Sequence, residues 1–204
     1  MMTMKREKIF CVGILVTVLV CIFGAGCNKK QSVGPGTDME AITEHLSLYS
    51  NDCEEHVKID DLAVIYDNPD FVNLEPWYAF VKKVNAGEAA YVDMVDYTTE
   101  GDSIFYYVHY DGKEFFVVQD STRDSYGTPM ILQEKYTYLQ EFIEETEDGN
   151  QIYDVVLSNI ELTSSEHWSE VFWQVCAEME AGEYDPDAVE YERVPCWLFR
   201  AELK

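Results

Sequence analysis

Residues 90–124 constrain the fold of this chain more than any other stretch. Ile104, Tyr106, Val108 and Tyr110 alternate with Phe105, Tyr107 and His109, a period-2 run of aromatic and β-branched residues that predicts a strand. Asp111-Gly112 follows, and such a pair tolerates the positive φ angles of a tight hairpin turn. Residues 115–119 therefore run back as the partner strand. Upstream, residues 91–98 are a further strand, joined through Glu100-Gly101-Asp102. Three consecutive antiparallel strands form the centre of a sheet.

The flanking segments supply helices and further strands. Residues 39–49 are weakly helical, with Ile42, Leu46 and Tyr49 at helix spacing, and residues 62–66 read as a short buried strand. Asn73 offers an N-cap to a helix that carries Pro76 in its first turn, Trp77, Phe80, Val81 and Val84 on one face, and Gly87 as its stop. Residues 131–145 and 152–160 read as a second hairpin, with Tyr136, Tyr138 and Phe142 as its inward residues. Thr163-Ser164-Ser165-Glu166 is a capping box for a helix over 165–181, in which Val171, Val175 and Met179 form one stripe and Trp168, Phe172 and Cys176 an adjoining one. A last strand spans 191–203. The expected class is α+β, an antiparallel meander packed against one or two helices. Phe105, Tyr107 and Phe116 face away from the helix that carries Trp77 and Phe80, and burial under the C-terminal helix and strand is the expectation for them, against exposure as a contact patch.

The amino terminus has a different composition. Lys5, Arg6 and Lys8 precede an uncharged apolar run over residues 9–23, and Gly24-Ala25-Gly26 leads directly to Cys27. This is the pattern of a secretory signal. The Gly-Ala-Gly-Cys end resembles the lipobox of bacterial lipoproteins, although Gly24 stands where that motif has Leu or Val. The resemblance implies cleavage after Gly26 and diacylation (palmitate or similar chains) of Cys27. The alternative is an uncleaved anchor, since the apolar run is long enough to span a bilayer at about 1.5 Å per residue. The expected organisation is a signal peptide over 1–26, a lipid-bearing cysteine with a flexible tether over 27–38, and one α+β domain over 39–204. The tether has a reach of roughly 17–20 Å, and Lys29 and Lys30 adjoin the anionic headgroups.

Charge narrows the set of partners. The whole chain carries a formal net charge of −25, and removal of residues 1–26 takes away more basic than acidic side chains. A surface of this sign repels nucleic acid and favours cations or basic partners, or it simply keeps an exported protein soluble. Outside the signal and Cys27 the cysteines are Cys53, Cys176 and Cys196, an odd set without the spacing of a disulfide framework, in which a Cys176–Cys196 bridge stays open.

The segments Tyr97-Thr98-Thr99-Glu100-Gly101-Asp102-Ser103-Ile104 and Asp120-Ser121-Thr122-Arg123-Asp124-Ser125-Tyr126-Gly127 resemble motifs of a family of uncharacterised Gram-positive bacterial lipoproteins, a domain of unknown function. In that family a Y-T-x-E-G-D-P-I segment precedes a hairpin and an S-R-D-x-F-G type segment follows it. Here Ser103 replaces the proline, Thr122 stands before Arg123 and Tyr126 replaces the phenylalanine. The resemblance covers about residues 62–127. It implies an exported α+β lipoprotein and supplies no activity.

Glu100, Asp102, Arg123 and Asp124 are the candidate ligand-binding residues. They lie at the outer connections of the central hairpin, where antiparallel strands bring both connections to one edge of the sheet. The competing reading pairs Arg123 with carboxylates to fix the two loops, a task that suits its bidentate fork. Cys53-Glu54-Glu55-His56 holds only half of a zinc site, and the acidic run at Glu183, Asp185, Asp187, Glu190 and Glu192 lacks the frame of a calcium loop. No metal, cofactor or catalytic residue is assigned. The expected function is a non-enzymatic binding module anchored in the cell membrane by lipid, on its extracytoplasmic face, with an envelope protein or peptide as partner. The alternative is a carboxylate-dependent hydrolase of an envelope polymer.

Overall fold

The computed structural model describes residues 34–65, 72–145, 149–164, six positions between 167 and 177, and 196–203. The signal, Cys27 and most of the tether lie outside the described residues. So do Trp168, Phe172, Val175, Cys176, Met179 and the acidic run at 183–192.

The meander forms as its alternation dictates. Strands β2 (Ala90–Tyr97), β3 (Ser103–Tyr110) and β4 (Phe115–Asp120) are antiparallel, with Asp93 opposite Tyr107 and Tyr107 opposite Val118. Gly101 and Gly112 carry φ values of 93° and 101° at the two connections, where a Cβ is strained. Strand β1 (Leu62–Val64) lies parallel to β2, and β5 (Ile131–Tyr136) adds antiparallel to β4, giving a sheet of order β1-β2-β3-β4-β5.

Both faces of β2 to β4 are buried, which explains why apolar and aromatic residues occupy both alternating sets of positions along these strands. One face carries Val92, Met94, Tyr106, Val108, Phe115 and Val117. It meets Trp77, Phe80 and Val81 of helix α3 (Glu75–Asn85) together with residues of a second sheet. The other face carries Val95, Phe105, Tyr107, Phe116 and Val118. It is covered by Ile42 and Leu46 of helix α1 (Met39–Ser47), followed by the short helix α2 (Cys53–His56). The burial expected for Phe105, Tyr107 and Phe116 is observed, but the cover comes from the N-terminal helices and not from the C-terminal elements. Ile42 and Leu46 are one turn apart on α1 and wholly buried, each contributing about 1.5–3 kcal/mol of apolar transfer. Asp38 caps α1 by accepting from the Glu40 and Ala41 amides at 3.1 and 3.3 Å.

Asn73 does not cap α3. Its backbone pairs with Val64 and its amide donates to the Leu62 carbonyl, so it is engaged by β1, and the cap position falls to Leu74 without a side-chain bond. Pro76 sits in the first turn and Gly87, with φ 70°, closes the helix.

Residues 131–145 are not one strand. The chain leaves the first sheet after Tyr136, and at Thr137 its amide donates to the Ser158 carbonyl. It then continues as β6 (Tyr138–Glu145), which pairs with β7 (Gln151–Ser158) and, through it, β8 (Cys196–Leu203) in a sheet of order β6-β7-β8. Tyr136 is buried as expected, whereas Tyr138 is exposed and Phe142 half-buried. Tyr153, Val155, Leu157, Leu198 and Phe199 join the core around Trp77, whose indole donates to the Tyr153 hydroxyl at 3.0 Å. Of the helix expected over 165–181, the described residues His167, Glu170, Val171, Trp173, Gln174 and Ala177 are helical. The His167 amide donates to Ser164 Oγ, so Ser164 is the capping residue.

Candidate functional site

Two connections form the end of the first sheet nearest Ser103 and Asp120. In the β2–β3 turn the Gly101 amide donates to the Thr98 carbonyl at 2.9 Å. Ser121 and Met130 close the β4–β5 loop through a 3.0 Å backbone bond. Inside that loop Asp124 Oδ1 accepts from the Tyr126 and Gly127 amides at 2.9 and 2.8 Å. A Cβ on Gly127 would lie 2.3 Å from Asp124 Oδ2, so a side chain there would displace the Asp124 carboxylate from this wrap.

The expected site residues separate into two roles. Asp102 Oδ2 accepts from the Ser125 amide at 2.7 Å, which ties the turn carrying Glu100 and Asp102 to the loop carrying Arg123 and Asp124. Glu100 is exposed, and Asp102 and Asp124 are half-buried. Arg123 points elsewhere. Its guanidinium donates to the carbonyls of Leu46, Tyr49 and Ser50 at 2.8, 3.0 and 2.9 Å and stacks over the Phe105 ring at 4.2 Å. It thus neutralises the carbonyl end of α1, where the helix dipole favours a cation, and burial holds its pKa below the ordinary range. The bonds that fix Arg123 run to backbone carbonyls, in place of the carboxylates weighed from the sequence.

Around the same end the apolar residues are unusually exposed. Tyr126 and Met130 in the loop and Ile131 and Leu132 at the start of β5 are 78, 40, 39 and 44 % exposed. Residues 131–135 are all exposed, although five residues of the partner strand β4 are buried or nearly so.

A second polar cluster, centred on Asp93, has no counterpart in the sequence reading. Asp93 is buried in β2, and its Oδ2 accepts from His45 Nε2 at 2.7 Å and from the Tyr49 hydroxyl at 2.8 Å, so both bonds fasten α1 and its following turn to the sheet. Asp93 Oδ1 has no hydrogen-bond partner among the described residues. The hydrogen bond and charge of Asp93 raise the His45 pKa against the opposing effect of burial. Burial first, and Asp93 second, push the hydroxyls of Tyr49 and Tyr107 well above the usual tyrosine range. The visible signal was a carboxylate between Val92 and Met94 in a strand with two apolar faces. Its partners lie more than 40 positions away, where sequence spacing carries no information.

His56 is likewise engaged within the fold. Its Nδ1 meets the Tyr97 hydroxyl at 2.5 Å and its Nε2 the Ser50 carbonyl at 2.9 Å, and burial lowers its pKa. Cys53 is a free thiol. Among the described residues no cluster of three or more His, Cys, Asp or Glu side chains is placed to hold a metal. Glu141, raised by burial, accepts from the Tyr153 hydroxyl and joins the Trp77 network at the edge of the core.

These features define a two-sheet α+β domain whose buried polar groups fasten helices and loops, and in which four of the exposed apolar residues, Tyr126, Met130, Ile131 and Leu132, follow one another along the β4–β5 loop and the edge strand. Residues 60–153 match the model of a family described as a domain of unknown function, DUF4362. The match spans β1 to the first half of β7, and so includes Asp93, Glu100, Asp102, Arg123 and Asp124 but not His45. No curated protein and no solved structure matches the chain.

Proposed function

We propose that the chain is a lipid-anchored, extracytoplasmic binding module that engages a protein or peptide of the cell envelope through the loop end and outer edge of its first sheet. The anchor rests on the basic, apolar and Gly-Ala-Gly-Cys27 succession, which prepares Cys27 for acylation. The binding role rests on the gathered exposure of Tyr126, Met130, Ile131 and Leu132 beside the charged connections. Apolar side chains collected at one place, rimmed by polar residues, are the physical mark of a contact surface. Glu100, Asp102 and Asp124 form its acidic rim, and Arg123 holds the loop in place.

The test is affinity capture from detergent-solubilised envelope with the full chain as bait, beside its Tyr126→Ser/Leu132→Ser variant. Both side chains are exposed, so the variant keeps the fold. A defined partner held by the parent and lost by the variant supports the reading. Absence of a partner, with release of soluble fragments from wall polymer, replaces it with the hydrolase.

A further inference from the structure

We infer that β5 receives an extended, basic segment of the partner by strand addition; this rests on the binding reading above and names its mode and ligand class. The hydrogen-bond phase of the edge follows from one bond. Ser121 N donates to Met130 O, which makes Ser121 and Met130 a hydrogen-bonded pair, and antiparallel pairs alternate between bonded and non-bonded. Asp120 opposite Ile131 is then non-bonded, as are Val118 opposite Gln133 and Phe116 opposite Lys135. The amides and carbonyls of Ile131, Gln133 and Lys135 therefore point away from β4. Among the described residues no strand pairs with that outer side.

Edges of this kind are usually blunted by a bulge, a proline or charged side chains, and β5 carries charge only toward its far end, at Glu134 and Lys135. The β4–β5 register runs without a shift from Phe115 opposite Tyr136 to Asp120 opposite Ile131, and Pro129 precedes the strand. The edge is regular for six residues and begins with exposed Ile131 and Leu132. An added strand gains main-chain bonds from the outward groups and side-chain contacts with these apolar residues.

Charge selects the occupant. The chain carries a net charge of −25, and Glu100, Asp102 and Asp124 cluster at the end of the sheet where β5 begins. A strand bearing Lys or Arg is attracted to that rim, whereas a second copy of the chain brings the same excess of negative charge and is repelled.

Fluorescence anisotropy with the full chain in neutral detergent micelles tests this. The probes are a labelled peptide of alternating Lys and Val, its Glu-Val counterpart, and a Lys-Val peptide N-methylated at alternate residues on its pairing side. Gln133→Pro supplies the protein variant, because it removes an outward amide and leaves the β4 ladder intact. The expected result is saturable binding of the Lys-Val peptide, weakened at least tenfold by N-methylation, by Glu for Lys, and by Gln133→Pro. Equal binding of the methylated peptide overturns strand addition even if the proline variant unfolds, and equal binding of the Glu-Val peptide overturns the basic ligand class. No binding of the Lys-Val peptide, or a β5-paired dimer of the chain alone, overturns the inference as a whole. A captured envelope partner that still binds Gln133→Pro removes strand addition and leaves the binding module standing, whereas no captured partner removes both.

Discussion

Arg123→Ala tests whether the Arg123 loop is a clamp on α1 or a ligand contact. The substitution removes three hydrogen bonds from a cation to the carbonyls of Leu46, Tyr49 and Ser50, along with the ring contact to Phe105. Hydrogen bonds to a charged group contribute about 1.5–3 kcal/mol each. The guanidinium is only half-buried, so water replaces part of the lost bonding, and the bonds share one side chain; a loss of about 2–4 kcal/mol is expected. For a domain of this size that corresponds to a melting temperature lower by about 5–15 °C. Arg123→Lys keeps the charge at the helix end but not the planar fork, and is expected to lose about half as much. Thermal unfolding followed by circular dichroism measures both. A melting temperature within about 2 °C of the parent for Arg123→Ala refutes the clamp and returns Arg123 to the ligand-binding set.

The remaining expectations concern separate parts of the molecule. His45 has a folded pKa raised above its ordinary 6.5, so its contribution to stability is complete below that pH and is lost as pH rises through the raised value. His56 and His109 are lowered by burial and act in the opposite sense, contributing above 6.5 and losing that contribution as pH falls through their folded values. Melting temperatures across pH 5–9 at fixed ionic strength are therefore expected to lose their alkaline decline in His45→Gln and keep their acid one; an unchanged alkaline limb contradicts the His45–Asp93 pair. Trp77→Phe removes the bond from α3 to Tyr153, and a loss of about 1–3 kcal/mol in urea unfolding is expected. Cys27→Ser is expected to abolish incorporation of an alkyne-tagged fatty acid into the chain in bacterial cells, and retained labelling refutes the anchor assignment.

What the sequence disclosed was what local chemistry determines. The β2–β4 meander was legible because alternation of Phe105, Tyr107 and His109 with Ile104, Tyr106 and Val108 sets the strand, and glycine marks both turns. The stripe of α3 was legible for the same reason. The passage between sheets at Thr137 was not, because β5 and β6 abut without a glycine or proline between them and share one loose alternation. Asn73 shows how a tertiary bridge overrides a local cap, since its backbone is already paired with Val64. The connections bearing Glu100, Asp102 and Asp124 could be placed at one end of the sheet from topology alone. The destination of Arg123 and the gathering of His45 and Tyr49 on Asp93 depend on how α1 docks, and a stripe of Ile42 and Leu46 does not name the surface it covers. The exposed edge of β5 was hidden for a related reason. Nothing in the residue pattern of 131–145 marks Ile131 and Leu132 as exposed, because only the sheet order places them at its margin.

The most direct measurement of the edge is residue-resolved amide hydrogen exchange with and without the Lys-Val peptide. The outward amides of Ile131, Gln133 and Lys135 are expected to exchange rapidly in the free chain and to slow at least tenfold on binding, while Leu132 and Glu134, already bonded to β4, change little. Uniform slowing across residues 131–135, or protection confined to some other element, contradicts strand addition at β5.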